Sequence, residues 1–289
     1  MKRCLSCAAL FSGDKFVCPD CGHAPEWKEG FPSFAPGAVL EKDGFPVEAF
    51  ENLFEIEDGS FWFRARNSLI SWALDRFFPN CSNFFEVGCG TGYVLSGLAR
   101  RRPDLTLAGS DLYFHALRLA SKRLGNAVDL YQMDAADIPF EAEFDVIGAF
   151  DVLEHIEDDE AVLAQLCRTA SSGGGVIVTV PQHMRLWGEI DVISGHKRRY
   201  SVEALNGKFK KAGLSSIYHT SFVTFLLPAV FLSRLYGECS LDRARRSLIL
   251  PRPLDAALEA LMAVERRLIL AGVRLLWGSS LLMVGKKRR

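Results

Sequence analysis

From Phe84 onward, short apolar runs alternate with stretches whose apolar residues recur at helical spacing. The runs Phe84–Val87, Leu105–Ser110, Asp129–Met133, Phe144–Phe150, Val176–Val180, Ser215–His219 and Leu281–Val284 predict seven strands. Between most of them lie predicted helices, for example Val94–Arg101, Leu112–Leu124, Asp159–Ala170 and Val202–Ala212. Continuously apolar strands separated by helices indicate a doubly wound, mostly parallel α/β sheet covered on both faces. The alternation breaks before the last strand, where about sixty residues intervene and 222–276 is expected to be a helical insertion. Its first part, Phe222–Leu235, is nearly all apolar. Its second carries Leu254, Leu258, Leu261, Val264, Leu268, Ala271 and Leu275 at helical spacing.

The first 29 residues follow a different pattern. Cys4-x2-Cys7 and Cys18-x2-Cys21 are two short turns that can each aim a pair of thiolates at one point. Together they predict a tetrahedral S4 site of the kind structural zinc prefers. Gly22 permits the tight backbone of a zinc knuckle, and His23 reads as a surface residue. A ribbon of about 20 residues buries too little to fold alone, so the metal would supply its folding energy. The remaining cysteines, Cys81, Cys89, Cys167 and Cys239, are scattered and read as packing residues. The expected organisation is a ribbon over 1–29, a linker over 30–45, a helical cap over 46–82 and the α/β core over 83–289.

Charge refines this only slightly. The formal net charge is −1, but the segment from Phe222 onward holds twelve Lys/Arg against five Asp/Glu, a balance of +7, leaving −8 elsewhere. Arg243, Arg245, Arg246, Arg252, Arg266, Arg267 and Arg274 flank the apolar parts of the insertion. Basic residues beside apolar helices can mark a peripheral contact with the inner membrane face, or a cover over a hydrophobic acceptor. A helical hairpin packed on the core or on a second subunit is the alternative. The start, Met1-Lys2-Arg3-Cys4, has no apolar run of signal-peptide length, and no stretch approaches the roughly 20 residues that span a bilayer. The expected location is therefore the cytoplasm, where paired cysteines favour metal over disulfide.

In doubly wound sheets ligands bind beyond the carboxyl ends of the strands. After the first core strand comes Glu86-Val87-Gly88-Cys89-Gly90-Thr91-Gly92, whose glycines allow close backbone approach to a ligand. After the second comes Asp111-Leu112, a carboxylate able to accept both ribose hydroxyls. Asp134-Ala135 follows the third strand and suits an adenine amino group; Asp151 follows the fourth. A dinucleotide site would place its third glycine three residues after the second, against a diphosphate; here it comes after two, and an acid precedes the loop. This acid-rich rim fits S-adenosylmethionine, which carries ammonium and sulfonium centres and no phosphate. Each acid taken singly could instead cap a helix.

These residues resemble the class I S-adenosylmethionine-dependent methyltransferases, over roughly Phe61–Lys287. Glu86–Gly92 is similar to that family's first motif, Asp111 to its ribose-binding acid, Asp134-Ala135 to its adenine motif and Asp151–Ile156 to the motif after the fourth strand. Ser172-Gly173-Gly174-Gly175 resembles the turn before the fifth strand, with the usual Pro-Gly-Gly replaced. Phe61–Arg66, Asp191–Tyr200 and Trp277–Lys286 resemble a narrower branch found among enzymes that handle glycans or lipid-linked sugars. The resemblance implies methyl transfer to a small-molecule, glycan or lipid-linked acceptor, at oxygen. The zinc-ribbon start is also similar to certain ribosomal RNA methyltransferases, which makes RNA the alternative acceptor; the acidic first three-quarters argues against a nucleic-acid surface. A binding protein that keeps the fold without catalysis is a third reading.

An oxygen acceptor usually needs a general base. His196 and Asp191, after the fifth strand, and His155, after the fourth, are the candidates. His155 could equally pack under the cofactor. Arg198, Arg199 and Tyr200 could bind an anionic acceptor or form a helix entry before Ser201; Arg64 and Arg66 could reach the cofactor carboxylate or the acceptor.

Overall fold

A computed structural model describes residues 1–13, 15–38, 47–235 and 250–288. Eleven strands are described: β1 (Lys2–Arg3), β2 (Leu10–Phe11), β3 (Glu26–Lys28), β4 (Phe31–Ser33), β5 (Asn83–Val87), β6 (Thr106–Asp111), β7 (Asp129–Gln132), β8 (Phe144–Phe150), β9 (Ala170–Pro181), β10 (Leu214–Phe222) and β11 (Ser280–Lys287). β1 and β2 form a separate antiparallel pair. The other nine make one sheet in the order β10-β11-β9-β8-β5-β6-β7-β4-β3. Its centre is parallel, and β11 runs antiparallel between β9 and β10. The strand order reverses at β5, which opens a crevice at the carboxyl ends of β5, β6 and β8.

All seven predicted core strands are present, and the fold class is the expected one. Two more strands, β3 and β4, come from segments expected to be ribbon and linker: Ser33 pairs in parallel with Gln132 and so extends the sheet beyond β7. The residues expected to turn before the fifth strand lie instead inside β9. Ala170 pairs with Phe144 and Gly175 with Val146, so β9 bulges between them. Gly174 is required there, since a Cβ would sit 2.2 Å from the Asp145 carbonyl oxygen.

Helices α1 (Val47–Ile56), α2 (Phe61–Phe77), α3 (Tyr93–Arg101), α4 (Phe114–Leu124), α5 (Asp159–Thr169), α6 (Glu189–Ile193) and α7 (Val202–Lys211) surround the sheet. α4 starts two residues later than the hydrophobic pattern implies, because the Tyr113 N–H donates to Asp111 Oδ1 at 3.0 Å and holds that entry as a turn. α5 is capped by Asp158, which accepts from Ala161 N at 3.0 Å. The motif around His155 is a short 3₁₀ turn, Leu153–His155, ahead of α5.

The insertion contributes α8 (Leu227–Leu235) and α9 (Arg252–Leu270). Leu275, expected on the same helical face, lies beyond α9, and its main chain bonds to Thr220 and Ser221. Arg243, Arg245, Arg246 and Cys239, like 39–45 of the expected linker, are outside the described residues. Two buried carboxylates tie the insertion to the domain. Asp255 accepts from Phe61 N at the first turn of α2 and from Arg64. Glu265, 1% exposed, accepts N–H bonds from Val223 (2.7 Å), Thr224 (2.7 Å) and Phe225 (3.1 Å). Replacing Glu265 with Ala strands those donors and is expected to cost about 2–4 kcal/mol, measurable as a lower denaturant midpoint. The described residues include no helix long and apolar enough to cross a membrane.

Candidate active site

A cavity of about 1240 Å³ lies at the switch in strand order. Glu86, Gly88, Cys89, Gly90, Thr91, Asp111, Leu112, Asp134, Ala135 and Asp151 all line it, as do His155, Asp191 and His196. Gly92 does not. It has φ +74°, and a Cβ there would meet Leu124 at 2.8 Å, so it packs α3 against α4. The glycines that shape the pocket are Gly88, whose Cβ would fall 2.5 Å from Val152, and Gly90, with φ +53°.

The acids at the strand ends are buried and differ in their partners. Asp111, 7% exposed, accepts from Gly90 N at 2.9 Å through one oxygen and from Tyr113 N through the other. Burial raises its pKa to about 6 against those N–H bonds. Glu86, 2% exposed, is pushed well above the usual carboxylate range by burial, which the nearby Arg66 charge only partly offsets. One of its oxygens has no partner among the described residues. Asp151 has φ +57°, tolerable for Asp, and contacts Arg66 and Thr179. Asp134 closes a turn by accepting from Ala136 N at 2.8 Å. Cys89 is buried and its thiol is pushed up, in keeping with a packing role.

Across the crevice, His196 Nδ1 lies 2.9 Å from Asp191 Oδ1. A carboxylate only accepts, so Nδ1 carries the proton and Nε2 is the ring's basic atom. Asp191 is fully buried and also accepts from Arg199 Nε (2.8 Å) and Gly188 N (2.8 Å). Burial alone would raise its pKa, but the bonds from His196 and Arg199 hold it below the ordinary value. The His155 ring meets that of His196 edge to face at 4.8 Å. Burial, then the His196 charge, lowers its pKa to about 4, which makes it a poor base.

The basic run after His196 is paired within the protein, although Lys197 and Arg199 still line the cavity. Arg199 is buried on Asp191 and Gln182 O, Arg198 pairs with Asp159 and Glu157, and Tyr200 donates to Asp159 at 2.6 Å. Arg64 likewise turns to Asp255 and Glu259, whereas Arg66 lines the cavity, as does Arg199. α1 lies within the expected helical cap over 46–82, but its part in the site was not foreseen. Its Phe50 and Leu53, with Glu57 just beyond, line the cavity, and Glu57 accepts from Thr91 Oγ1 and Arg123, both at 2.6 Å. The apolar spacing of 47–56 was the available signal. From the insertion, Leu226, Leu250, Leu254 and Leu258 line it as well.

Two groups of side chains have metal-compatible spacing among the described residues. The four ribbon thiols lie within 4.8 Å of one another, with Cys4 and Cys18 buried and each on a tight turn (Ala8 N to Cys4 O, 2.9 Å; Gly22 N to Cys18 O, 3.0 Å). That all-sulfur set fits zinc. Glu154, His155 and His196 form the second group, but Glu154 there faces the charges of Arg66 and Arg199, which oppose a further cation.

A family profile described as a methyltransferase domain matches residues 62–219, more than half of the chain. The chain belongs to this methyltransferase family. With the fold above, it is a class I S-adenosylmethionine-dependent methyltransferase. Among curated relatives, a ubiquinone biosynthesis O-methyltransferase of Thiobacillus denitrificans is 26% identical over 63% of this chain and 77% of its own length. Another, from Nitrosomonas europaea, is 33% identical over 32% of this chain and 40% of its own. Two solved structures share the fold: a chain from the Haloferax volcanii complex between the Trm112 methyltransferase activator and a methyltransferase (17% identity, 85% of this chain and 99% of that one, TM-score 0.58), and a SAM-dependent methyltransferase from Thermotoga maritima (18%, 84% and 96%, TM-score 0.52).

Proposed function

We propose that this methyltransferase moves the methyl group of S-adenosylmethionine to an oxygen of a small-molecule acceptor, with His196 as general base and Asp191 holding its ring. The observation that carries this is the Asp191–His196 pair beside the acid-lined half of one continuous cavity. Glu86, Asp111, Asp134-Ala135 and the Gly88–Thr91 loop hold the cofactor; Asp151 stands at the transfer point with Arg66. The sulfonium is an activated donor, so the remaining work is to align the acceptor, exclude water and accept its proton. The O-methyltransferase relatives support oxygen as the target.

The cavity exceeds the roughly 300–1,000 Å³ of a site for one drug-sized ligand. Its surplus is lined by leucines of the insertion, which favours an acceptor with an apolar portion, such as a lipid-linked one, over a bare glycan. If a membrane presents that acceptor, the protein pellets with anionic vesicles at low salt; absence of sedimentation confines the insertion to covering the acceptor. Comparing extracts of a deletion strain incubated with purified protein and labelled S-adenosylmethionine tests the function: label should enter an organic-extractable product through an alkali-stable ether. A labelled RNA instead would overturn the small-molecule reading.

Zinc in the ribbon is part of the same proposal, held by Cys4, Cys7, Cys18 and Cys21. Elemental analysis of purified protein is expected to find zinc near one equivalent, and a Cys4→Ser, Cys18→Ser double variant to lose it.

A further inference from the structure

Gln132, at the end of β7, is fully buried and uses its whole amide. Its Oε1 accepts from Ser33 Oγ (2.7 Å) and Ala35 N (3.2 Å); its Nε2 donates to Ala35 O (2.9 Å) and Leu112 O (3.0 Å). Three of these four bonds go to the segment that follows the ribbon. The fourth goes to the residue after Asp111, and Met133, Asp134 and Ala135, which follow Gln132, line the cavity. The neighbouring residue in β7, Tyr131, meets the same N-terminal segment through Phe16, whose ring lies 5.0 Å from Phe34, 5.6 Å from Tyr131 and 5.9 Å from Phe140. Arg3 N also donates to Pro139 O at 3.0 Å. The four-thiol site therefore sits on a segment that grips both faces of the strand leading into the adenosine end of the pocket.

We propose that Gln132 is a positioning residue that couples the Cys4–Cys7–Cys18–Cys21 site to the cofactor pocket, so that metal in the ribbon tightens S-adenosylmethionine binding. The inference rests on the cofactor and zinc readings above. Without metal the ribbon has no core large enough to hold its own shape. Phe16 and Ser33–Ala35 then lose their fixed places, and a buried amide loses three of its four partners. Reorienting Gln132 to recover them releases Leu112 O and the Asp111 loop beside it. Linkage requires the converse: bound cofactor must slow metal loss.

The test uses the full chain. S-adenosylmethionine is titrated calorimetrically into zinc-loaded and chelator-treated protein, each as wild type and as Gln132→Leu, which keeps the bulk and removes the hydrogen bonds. Either change alone is expected to raise Kd about tenfold, and the two together no further, because both break one coupling. A second readout is the rate at which a chromogenic chelator strips zinc; S-adenosylmethionine should slow it several-fold in wild type and leave it unchanged in Gln132→Leu. Additive effects on Kd, wild-type affinity in Gln132→Leu, or zinc release indifferent to cofactor would overturn the coupling. If zinc-loaded wild type binds no S-adenosylmethionine, the cofactor reading fails instead. Should Gln132→Leu not fold, the zinc-release comparison on wild type decides alone.

Discussion

Calorimetric titration of Asp111→Ala with S-adenosylmethionine is expected to show binding weakened by about a hundredfold or more. On the proposed cofactor assignment, two charge-assisted hydrogen bonds to ribose hydroxyls, at roughly 1.5–3 kcal/mol each, are lost together. The Gly90 and Tyr113 amides that Asp111 holds are released at the same time. Asp111→Asn retains one acceptor and should fall between the two. The pH dependence has a definite sign. Asp111 titrates at about 6 in the folded protein, above its ordinary value. Its contribution to the stability of the free protein is therefore full in acid and lost as pH rises through about 6. Cofactor binding runs the other way, because it uses the ionised form. The Kd should rise about tenfold for each pH unit below about 6, as for a single required deprotonation. Unchanged affinity in Asp111→Ala would remove this residue from the cofactor site.

His196→Ala should lower turnover by roughly a hundred- to ten-thousand-fold, the usual weight of a general base, while leaving S-adenosylmethionine affinity within about twofold, because the cofactor's ribose and adenine are held elsewhere. Asp191→Asn keeps the burial but cannot serve both His196 and Arg199 as a charged acceptor, so it should lose both turnover and stability. His155→Ala should cost less in rate, since its burial already makes it a poor base. Turnover in His196→Ala equal to wild type at all pH values would refute the assignment. A loss in kcat that disappears at high pH, where the acceptor ionises unaided, is the signature expected of a base.

How far the sequence alone reaches depends on the range of the interactions. Strands such as Phe144–Phe150 are buried on both faces, so their composition reveals them. Glycine and acid positions after β5 and β6 are legible because a loop's conformation and a strand-end carboxylate are properties of a few consecutive residues. Glu57 was not legible. Its partners Thr91 and Arg123 are 34 and 66 residues away, and nothing in Ile56-Glu57-Asp58 distinguishes it from a solvated acid. The same limit hid Arg199: in Lys197-Arg198-Arg199 only the fold separates a buried guanidinium on Asp191 from an exposed ammonium and a half-buried guanidinium. Strand β4 escaped because it is three residues long, contains Pro32 and sits among glycines and prolines, which read as linker. Its place in the sheet comes from Gln132, ninety-nine residues after Ser33.

That added hairpin also bears on how the protein behaves if the proposed zinc is stripped. On this side the sheet ends at β3, a three-residue strand from Glu26 to Lys28 that is too short to recruit another chain. Next to it in the sheet, β4 pairs with β7 at Ser33 and Gln132, and β7 carries the buried Leu130. Chelation that loosens the ribbon would uncover this strand while the rest of the domain stays folded. The expected failure of a metal-depleted preparation is therefore self-association through an open sheet edge, seen as concentration-dependent light scattering well below the melting temperature.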